Sequence, residues 1–539
     1  MDNFGLLALI PPLLTVALAI LSKDVVVSLF LGILSGTLIV AGGNPFYALV
    51  KLTDLIASML ADGWNIRIVL FCGLLGALVG MWNKTGAALA FGKWAAAKIK
   101  SRRGVLVFSW IFGIVIFLDD YFNSLTIGAC MKPVCDEKKI SRAKLAFILD
   151  STAAPVCILA PISSWVITVM SYTKNAQGFD SLGISEFSYF IRSIPYNLYA
   201  LLAIAFVGYI ALGGKDFGPM ARSETRALSG AGLMDEARYG LVSGKLEESA
   251  NPAARWFDFV APLALLIVAS VFFFPMTTWM GAVGGEGVPT LAAAVSTIPL
   301  GEAFNNTDAS KALFYAIVFT LAASYLYFLG RRLLTLGKSS EAIIDGLKSM
   351  VPAILILTMA WSIGFIIKKA PAEGGVGLAN FLSEAVVEGQ FPLWALPVVV
   401  FAISCVISFA TGTSWGTMAI MVPIAFPIAH ALALQAGFAV EATLNATLIS
   451  VAAVMSGAVF GDHCSPISDT TILSSTGASC PHLEHVATQM PYAVFLAFCA
   501  LAGLLVAGLS LNPYAGLLTA AACGVVGVVA LPKVFSGAA

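Results

Sequence analysis

Long apolar runs recur along the whole chain. They lie near residues 4–21, 25–41, 66–82, 104–118, 155–171, 190–212, 257–275, 311–330, 349–367, 391–410, 415–434, 442–460, 491–511 and 513–531, with a weaker Gly-rich stretch over 277–300. Most approach the roughly 20 residues that a helix needs to cross a bilayer. Inside hydrocarbon every backbone N–H and C=O needs an internal partner, so spans are helices or closed barrels. Barrel strands alternate apolar and polar positions; these runs do not. The pattern predicts an all-α polytopic membrane protein. No basic residue precedes the first run, which follows Met1, Asp2 and Asn3, so a retained first span is expected in place of a cleaved leader.

Polar residues interrupt these runs twice in the same order. In the first half, Asp119-Asp120-Tyr121-Phe122-Asn123-Ser124 follows the run 104–118. Asp150-Ser151-Thr152-Ala153-Ala154-Pro155 and Pro161-Ile162-Ser163-Ser164-Trp165 come next. In the second half, Ser408-Phe409-Ala410-Thr411-Gly412-Thr413-Ser414-Trp415-Gly416-Thr417 precedes Gly461-Asp462-His463-Cys464-Ser465-Pro466-Ile467-Ser468-Asp469-Thr470-Thr471, with Ser474 and Ser475 beyond. One broken apolar segment, a connection and a second broken segment, repeated, are the signature of an internal structural repeat. The run 104–118 measures only about 22 Å as a helix, short for a span. Basic residues flank 104–131 on both sides, so a re-entrant hairpin with its tip at Asp119 to Ser124 is expected, matched by a tip at 411–414. Pro155, Pro161 and Pro466 remove backbone donors and free carbonyls.

Composition narrows the class. The chain of 539 residues is 59% hydrophobic and 11% charged, against roughly 25% charged in soluble domains. That excludes a disordered chain, a coiled coil and an ordinary soluble enzyme. Thirty basic residues balance thirty acidic ones, leaving no net field to draw nucleic acid. Lys84, Lys93, Lys98, Lys100, Arg102 and Arg103 occur with no acid over 83–103, which places that loop in the cytoplasm and the N-terminus outside. The stretch 214–256 mixes both signs and is expected to be a solvated linker, with a regulatory element as the alternative. The nine cysteines lie mostly in apolar runs and suit packing; Cys464 and Cys480, near His463 and His482, fit no standard zinc spacing.

An ionised group at bilayer depth costs several kcal/mol, about 3 on insertion scales, so buried acids there are functional candidates. A carboxylate in low dielectric lowers its cost by binding a cation or taking a proton. Hydroxyls, freed carbonyls and carboxylates are hard oxygen ligands that suit Na⁺ or Li⁺, and helix N-termini at the breaks suit an anionic group. Asp150 and Asp469 lead the candidates, followed by Asp119, Asp120 and Asp462, with His463 a candidate proton group. Simpler roles compete: a helix-end pair for Asp119 and Asp120, caps for Asp150 and Asp469, interhelix hydroxyl bonds for Thr411, Thr413 and Ser414, and a structural hydrogen bond for His463. His430, His482 and His485 read as loop or helix-end residues. No GxxxxGK[ST] loop suggests an ATP-driven pump. Ser465 beside His463 is a weak basis for a hydrolase, and a channel accounts less well for broken helices in both halves than alternating access does.

The stretches Leu118 to Thr126, Asp150-Ser151-Thr152-Ala153-Ala154-Pro155, Thr411-Gly412-Thr413-Ser414-Trp415-Gly416-Thr417 and Gly461 to Thr471 closely resemble the NhaC family of bacterial Na⁺/H⁺ antiporters, in order over roughly 60–500. The resemblance implies two inverted repeats, each with a re-entrant hairpin and a broken transmembrane helix. It also implies a bacterial inner membrane, no enzymatic activity, and no cofactor beyond Na⁺ as coupling ion. The expected organisation is N-terminal helices over 1–100, a first repeat core over 101–213 with hairpin 104–131 and broken helix 145–171, and the linker 214–256. Scaffold helices follow over 257–390, then a second core over 391–512 broken at 411–414 and 461–471, and a hydrophobic tail over 513–539 outside the resemblance. Na⁺ is expected on Asp150, Asp469, Asn123, Ser124, Thr152 and Thr413. The wider sodium or substrate set adds Asp119, Asp120, Ser151, Thr411, Ser414, Asp462, His463, Ser465, Ser468 and Thr470. Na⁺/H⁺ exchange is the leading function, and Na⁺-coupled transport of a small carboxylate or amino acid the alternative. Trp165 and Trp415 would wall an organic substrate or simply pack, and a homodimer is carried as a candidate assembly.

Overall fold

A computed structural model describes residues 3–22, 24–240, 251–285, 288–378, 380–381 and 391–536. The described residues form helices and connections without a strand. Among them, 9 helices are long and apolar enough to cross a membrane, or up to 11 when two bent pairs each count as one span. The bent pairs are Val26–Val40 with Pro45–Ala61, turned by 119°, and Glu186–Tyr196 with Leu198–Ala211, turned by 55°. The chain is thus an all-helical, multi-pass membrane protein.

Each half builds the expected order. In the first, Ser101 caps the helix Arg102–Val115, the chain breaks over 116–119, and Asp119 caps a new helix, Asp120–Glu137. These two helices are the first hairpin. Ser141 then caps Arg142–Cys157, and after a break over 158–163 Ser163 caps Ser164–Lys174. Pro155 is carried inside the helix and Pro161 lies in the break. In the second half, Leu396–Thr411 ends at Gly412 and Thr413 caps Ser414–Gln435. Val440–Cys464 follows, then a break over 465–468 holding Pro466, and Ser468 caps Asp469–Ala478. Each cap supplies an oxygen to an otherwise orphaned N–H, so the chain can restart a helix after a break without leaving donors bare. Gly412 takes φ 69°, and a Cβ there would stand 2.6 Å from the Ile467 carbonyl oxygen. A left-handed turn that close to a neighbouring backbone needs glycine.

Small residues set how the halves meet. Asp120–Glu137 and Asp469–Ala478 cross where a Cβ on Gly128 would lie 2.5 Å from the Gly477 carbonyl carbon. Backbones approach this closely only without side chains between them, the usual solution for helices packed in lipid. The long helix His482–Ser510 closes the bundle beside the second half. Pro513–Ser536 runs along it at the Gly503 and Gly516 contact. Its span is only 11% buried, as a helix facing lipid would be. The scaffold includes Phe257–Ala282, Ala309–Gly330 and Leu336–Lys368; residues 382–390 of that region lie outside the described residues.

The stretch between the halves departs from a solvated linker. Its described part folds a helix, Gly218–Ser229, with Met220, Ser223, Glu224 and Ala227 buried. Asp216 and Glu224 pair with Lys144, and Arg226 with Glu484, whose side chain is 1% exposed. Opposite charges distributed over distant segments draw this stretch onto the bundle. Lys245, Glu247 and Glu248 lie outside the described residues.

Candidate ion-binding site

Asp150 lies in the helix Arg142–Cys157 with no exposed surface. Its Oδ2 accepts a hydrogen bond from Gln489 Nε2 at 2.5 Å and one from Thr471 Oγ1 at 3.2 Å. Its Oδ1 accepts from Ser474 Oγ at 3.2 Å. Fully buried His485 places Nε2 3.3 Å from Oδ2. A carboxylate wholly removed from water is tolerable only when surrounded by donors or a cation. Here the donors come from the second broken segment and the closing helix, so the site exists only because the two halves are joined.

The carbonyl end of Val440–Cys464 opens onto the same cluster. The Asp462 carbonyl accepts from Thr471 Oγ1 at 3.2 Å, and the His463 carbonyl accepts from Gln489 Nε2 at 2.9 Å. A helix C-terminus carries partial negative charge, which favours a cation nearby. These are the freed carbonyls that a broken helix provides.

A second carboxylate stands beside the first. Asp462 Oδ1 accepts from Ser468 Oγ at 2.5 Å, and Oδ2 accepts from Ser414 Oγ at 2.8 Å and Thr470 Oγ1 at 3.2 Å. Three hydroxyls from both limbs of the second half therefore converge on one acid. Thr471 links the two centres, reaching the Asp150 carboxylate and the Asp462 backbone.

The first hairpin supplies the third wall. Ser124 Oγ stands 3.1 Å from Ser474 Oγ, within hydrogen-bond reach, which brings it next to Asp150. Asn123 Nδ2 lies within hydrogen-bond reach of the carbonyls of Gly113, Ile116 and Thr152 at 2.8, 2.7 and 3.2 Å, tying the hairpin break to the first broken helix. Its Oδ1 is buried without a hydrogen-bond partner among the described residues. Asp119 acts as a cap toward the Phe122 N–H at 3.0 Å. Both acids of the tip sit at a helix start and are buried within the protein, Asp120 at 1% exposed. Asp120 lies within electrostatic reach of Asp119 and Asp462, and its Oδ2 has no hydrogen-bond partner among the described residues.

The other expected residues divide by position. Ser151 is buried beside Asp150. Thr152 donates to Ile148 O at 2.7 Å and rests on Gly113, binding helix to hairpin. Thr411 donates to Ile407 O at 2.8 Å, and Thr413 caps its helix through the Gly416 N–H at 3.4 Å. Ser465 accepts from the Ile467 N–H at 3.4 Å within the second break. His463 Nδ1 is paired with Tyr199 OH at 3.1 Å, and its Nε2 is buried without a partner among the described residues. Asp469 opens the helix Asp469–Ala478, and its side chain lies outside the described residues. Trp165 and Trp415 meet edge to face across the halves, centroids 5.5 Å apart.

Gln489 and His485 complete the site without having been expected. The apolar run near 491 begins too late, since the helix reaches back to His482. His485 lies in the first turn of that helix, a helix-end position as read from the sequence, but it is fully buried; it and Gln489, four residues apart, share the inward helical face. That spacing of two polar residues before an apolar run is the signal for them.

A bundle with buried acids where broken helices meet defines a multi-pass membrane transporter. The chain belongs to the Na⁺/H⁺ antiporter family, whose model matches residues 156–509. It is therefore a sodium-linked transporter and not an enzyme, which bears out the resemblance read from its motifs. An uncharacterised protein of Haemophilus influenzae is 36% identical over 98% of this chain and 95% of its own. An uncharacterised Na⁺/H⁺ antiporter of the same organism is 31% identical over 32% of each chain. The malate-2H⁺/Na⁺-lactate antiporter of Bacillus subtilis is 30% identical over 28% of each.

Proposed function

We propose that this chain exchanges Na⁺ for H⁺ across the bacterial inner membrane by alternating access, with Asp150 as the carboxylate that the two ions share. The observation that carries the reading is the fully buried Asp150 with its shell of Thr471, Ser474, Gln489 and His485. Hydroxyl oxygens that now donate hydrogen to the carboxylate can turn their lone pairs to a cation. Ser124, Ser474, Thr471 and the carbonyls of Asp462 and His463 would then join Asp150 as oxygen ligands. A proton on Asp150 neutralises the same charge, so Na⁺ and H⁺ exclude each other. Asp462, with its three hydroxyls, provides a neighbouring acid onto which an ion can pass. The hairpins and broken helices, as inverted repeats, would expose this centre to one side at a time.

Purified protein in proteoliposomes tests the reading. A pH-sensitive dye inside the vesicles should respond when Na⁺ alone is added outside. Silence with Na⁺ alone, and a response when a small organic acid or amino acid accompanies it, would favour the second reading, Na⁺-coupled organic transport. Local similarity to the malate and lactate exchanger motivates that second reading, as does the Trp165 and Trp415 pair beside the acids.

A further inference from the structure

We propose that the segment Asp216–Asp235, between the two halves, is a strap that positions the ion site, with Asp216 as its positioning residue; the inference rests on the Asp150 centre proposed above. Asp216 touches two of the helices that compose that centre. Its carboxylate accepts from Lys144 Nζ at 2.5 and 2.6 Å, and its Oδ1 also accepts from Tyr492 OH at 2.7 Å. Lys144 stands six residues before Asp150 on one helix, and Tyr492 three residues after Gln489 on the other. Residues three apart share a helical face, so Tyr492 and Gln489 look the same way. One carboxylate outside the membrane spans thus fixes the register of the helix bearing Asp150 against the helix bearing its shortest hydrogen-bond donor.

Two further anchors repeat the pattern. Glu224 accepts from the Ser141 N–H at 2.9 Å at the start of the Asp150 helix, and pairs with Arg102 at the start of the first hairpin. Glu484, next to His485, accepts from Ser223 Oγ at 2.9 Å, from Arg226 at 2.5 Å and from the Asp235 N–H at 2.8 Å. Three acids therefore tie the strap to the hairpin, the first broken helix and the closing helix, the elements that meet at Asp150. Lys144 is only 2% exposed, so loss of Asp216 leaves a buried ammonium whose remaining acid, Glu224, is 3.8 Å away. A buried charge in that position shifts the helix that carries it.

The test uses the full chain in proteoliposomes. Asp216→Asn should raise the Na⁺ concentration for half-maximal flux by on the order of tenfold, as loss of an outer partner does at metal sites. The maximal rate per folded transporter should change far less, and Asp216→Glu should restore the affinity. Asp216→Asn combined with Gln489→Ala should cost less than the product of the two single effects, because both act on one contact. A fall in maximal rate with unchanged half-saturation, or full independence of the two substitutions, would overturn the proposal. Should the native protein show no Na⁺-dependent flux, the exchange reading fails by itself. Hydrogen exchange then decides the strap: Asp216→Asn should speed exchange over 144–152 and 484–492 and Asp216→Glu should slow it again, whereas unchanged exchange would refute positioning.

Discussion

Gln489 Nε2 stands 2.5 Å from Asp150 Oδ2 and 2.9 Å from the His463 carbonyl. One amide thus spans a carboxylate of the first half and a helix end of the second. Gln489→Ala removes a donor to a buried charge, a loss of about 1.5–3 kcal/mol. Half-saturating Na⁺ should shift by roughly 10- to 100-fold, read from dye response in vesicles.

Asp150→Asn should abolish Na⁺-dependent flux, because the amide neither binds a cation strongly nor takes a proton near neutral pH. Asp462→Asn should leave a measurable but slower exchange if Asp462 is the neighbouring station. Equal, complete loss in both variants would make them one joint site, and full activity in Asp150→Asn would remove it from the ion path.

The proposed competition between Na⁺ and H⁺ for the Asp150 carboxylate sets a sign. Under it, a falling pH should raise the Na⁺ concentration needed for half-maximal flux. The dependence should approach tenfold per pH unit on the acid side and flatten on the alkaline side. A half-saturating concentration constant from pH 6 to 9 would exclude shared binding.

Gly477→Ala should damage both stability and transport. The added Cβ would lie 2.7 Å from the Ser124 carbonyl oxygen, and relief requires the halves to separate. Overpacking of this kind costs roughly 1–3 kcal/mol. A lower melting temperature in detergent, with flux loss exceeding the loss of folded protein, is the expected result.

Asp308 offers a pH test outside the spans. Burial works to raise its pKa, but hydrogen bonds from Ser310 Oγ and the Lys311 N–H, with the Lys311 charge, hold it below the ordinary carboxylate range. A depressed folded-state pKa gives stability that is present above the unfolded value, about 3.9, and is lost as pH falls through the folded value. Asp308→Ala should therefore cost on the order of 1 kcal/mol near pH 7. The difference from the native chain should shrink at pH 3, as followed by thermal melts at both pH values.

Much of the architecture was legible because lipid leaves few choices. The runs mark the helices, and the polar islands at 119–124, 411–417 and 461–471 mark breaks, whereas 150–155 lies within a continuous helix whose break follows at 158–163. Asp150 was legible as an acid in an apolar context. Its partners were not. Thr471 lies 321 residues away and Ser474 324, and they reach Asp150 through the packing of Asp469–Ala478, including its glycine crossing at Gly128 and Gly477. Gln489 and His485 are hidden because a helix can start well before its apolar run. The strap is hidden for another reason: Asp216, Glu224 and Lys144 look solvated along the chain, and their complementarity exists only in three dimensions.

A threonine side chain owns a single hydrogen to give, yet Thr471 stands at equal distance, 3.2 Å, from the Asp150 carboxylate and the Asp462 backbone oxygen. It can satisfy only one of them fully at any instant. On the proposed reading, an ion arriving at Asp150 would release the hydrogen to the other partner and secure the end of the neighbouring helix. Occupancy in one half would thereby be written into the backbone of the other by the swing of a lone hydroxyl.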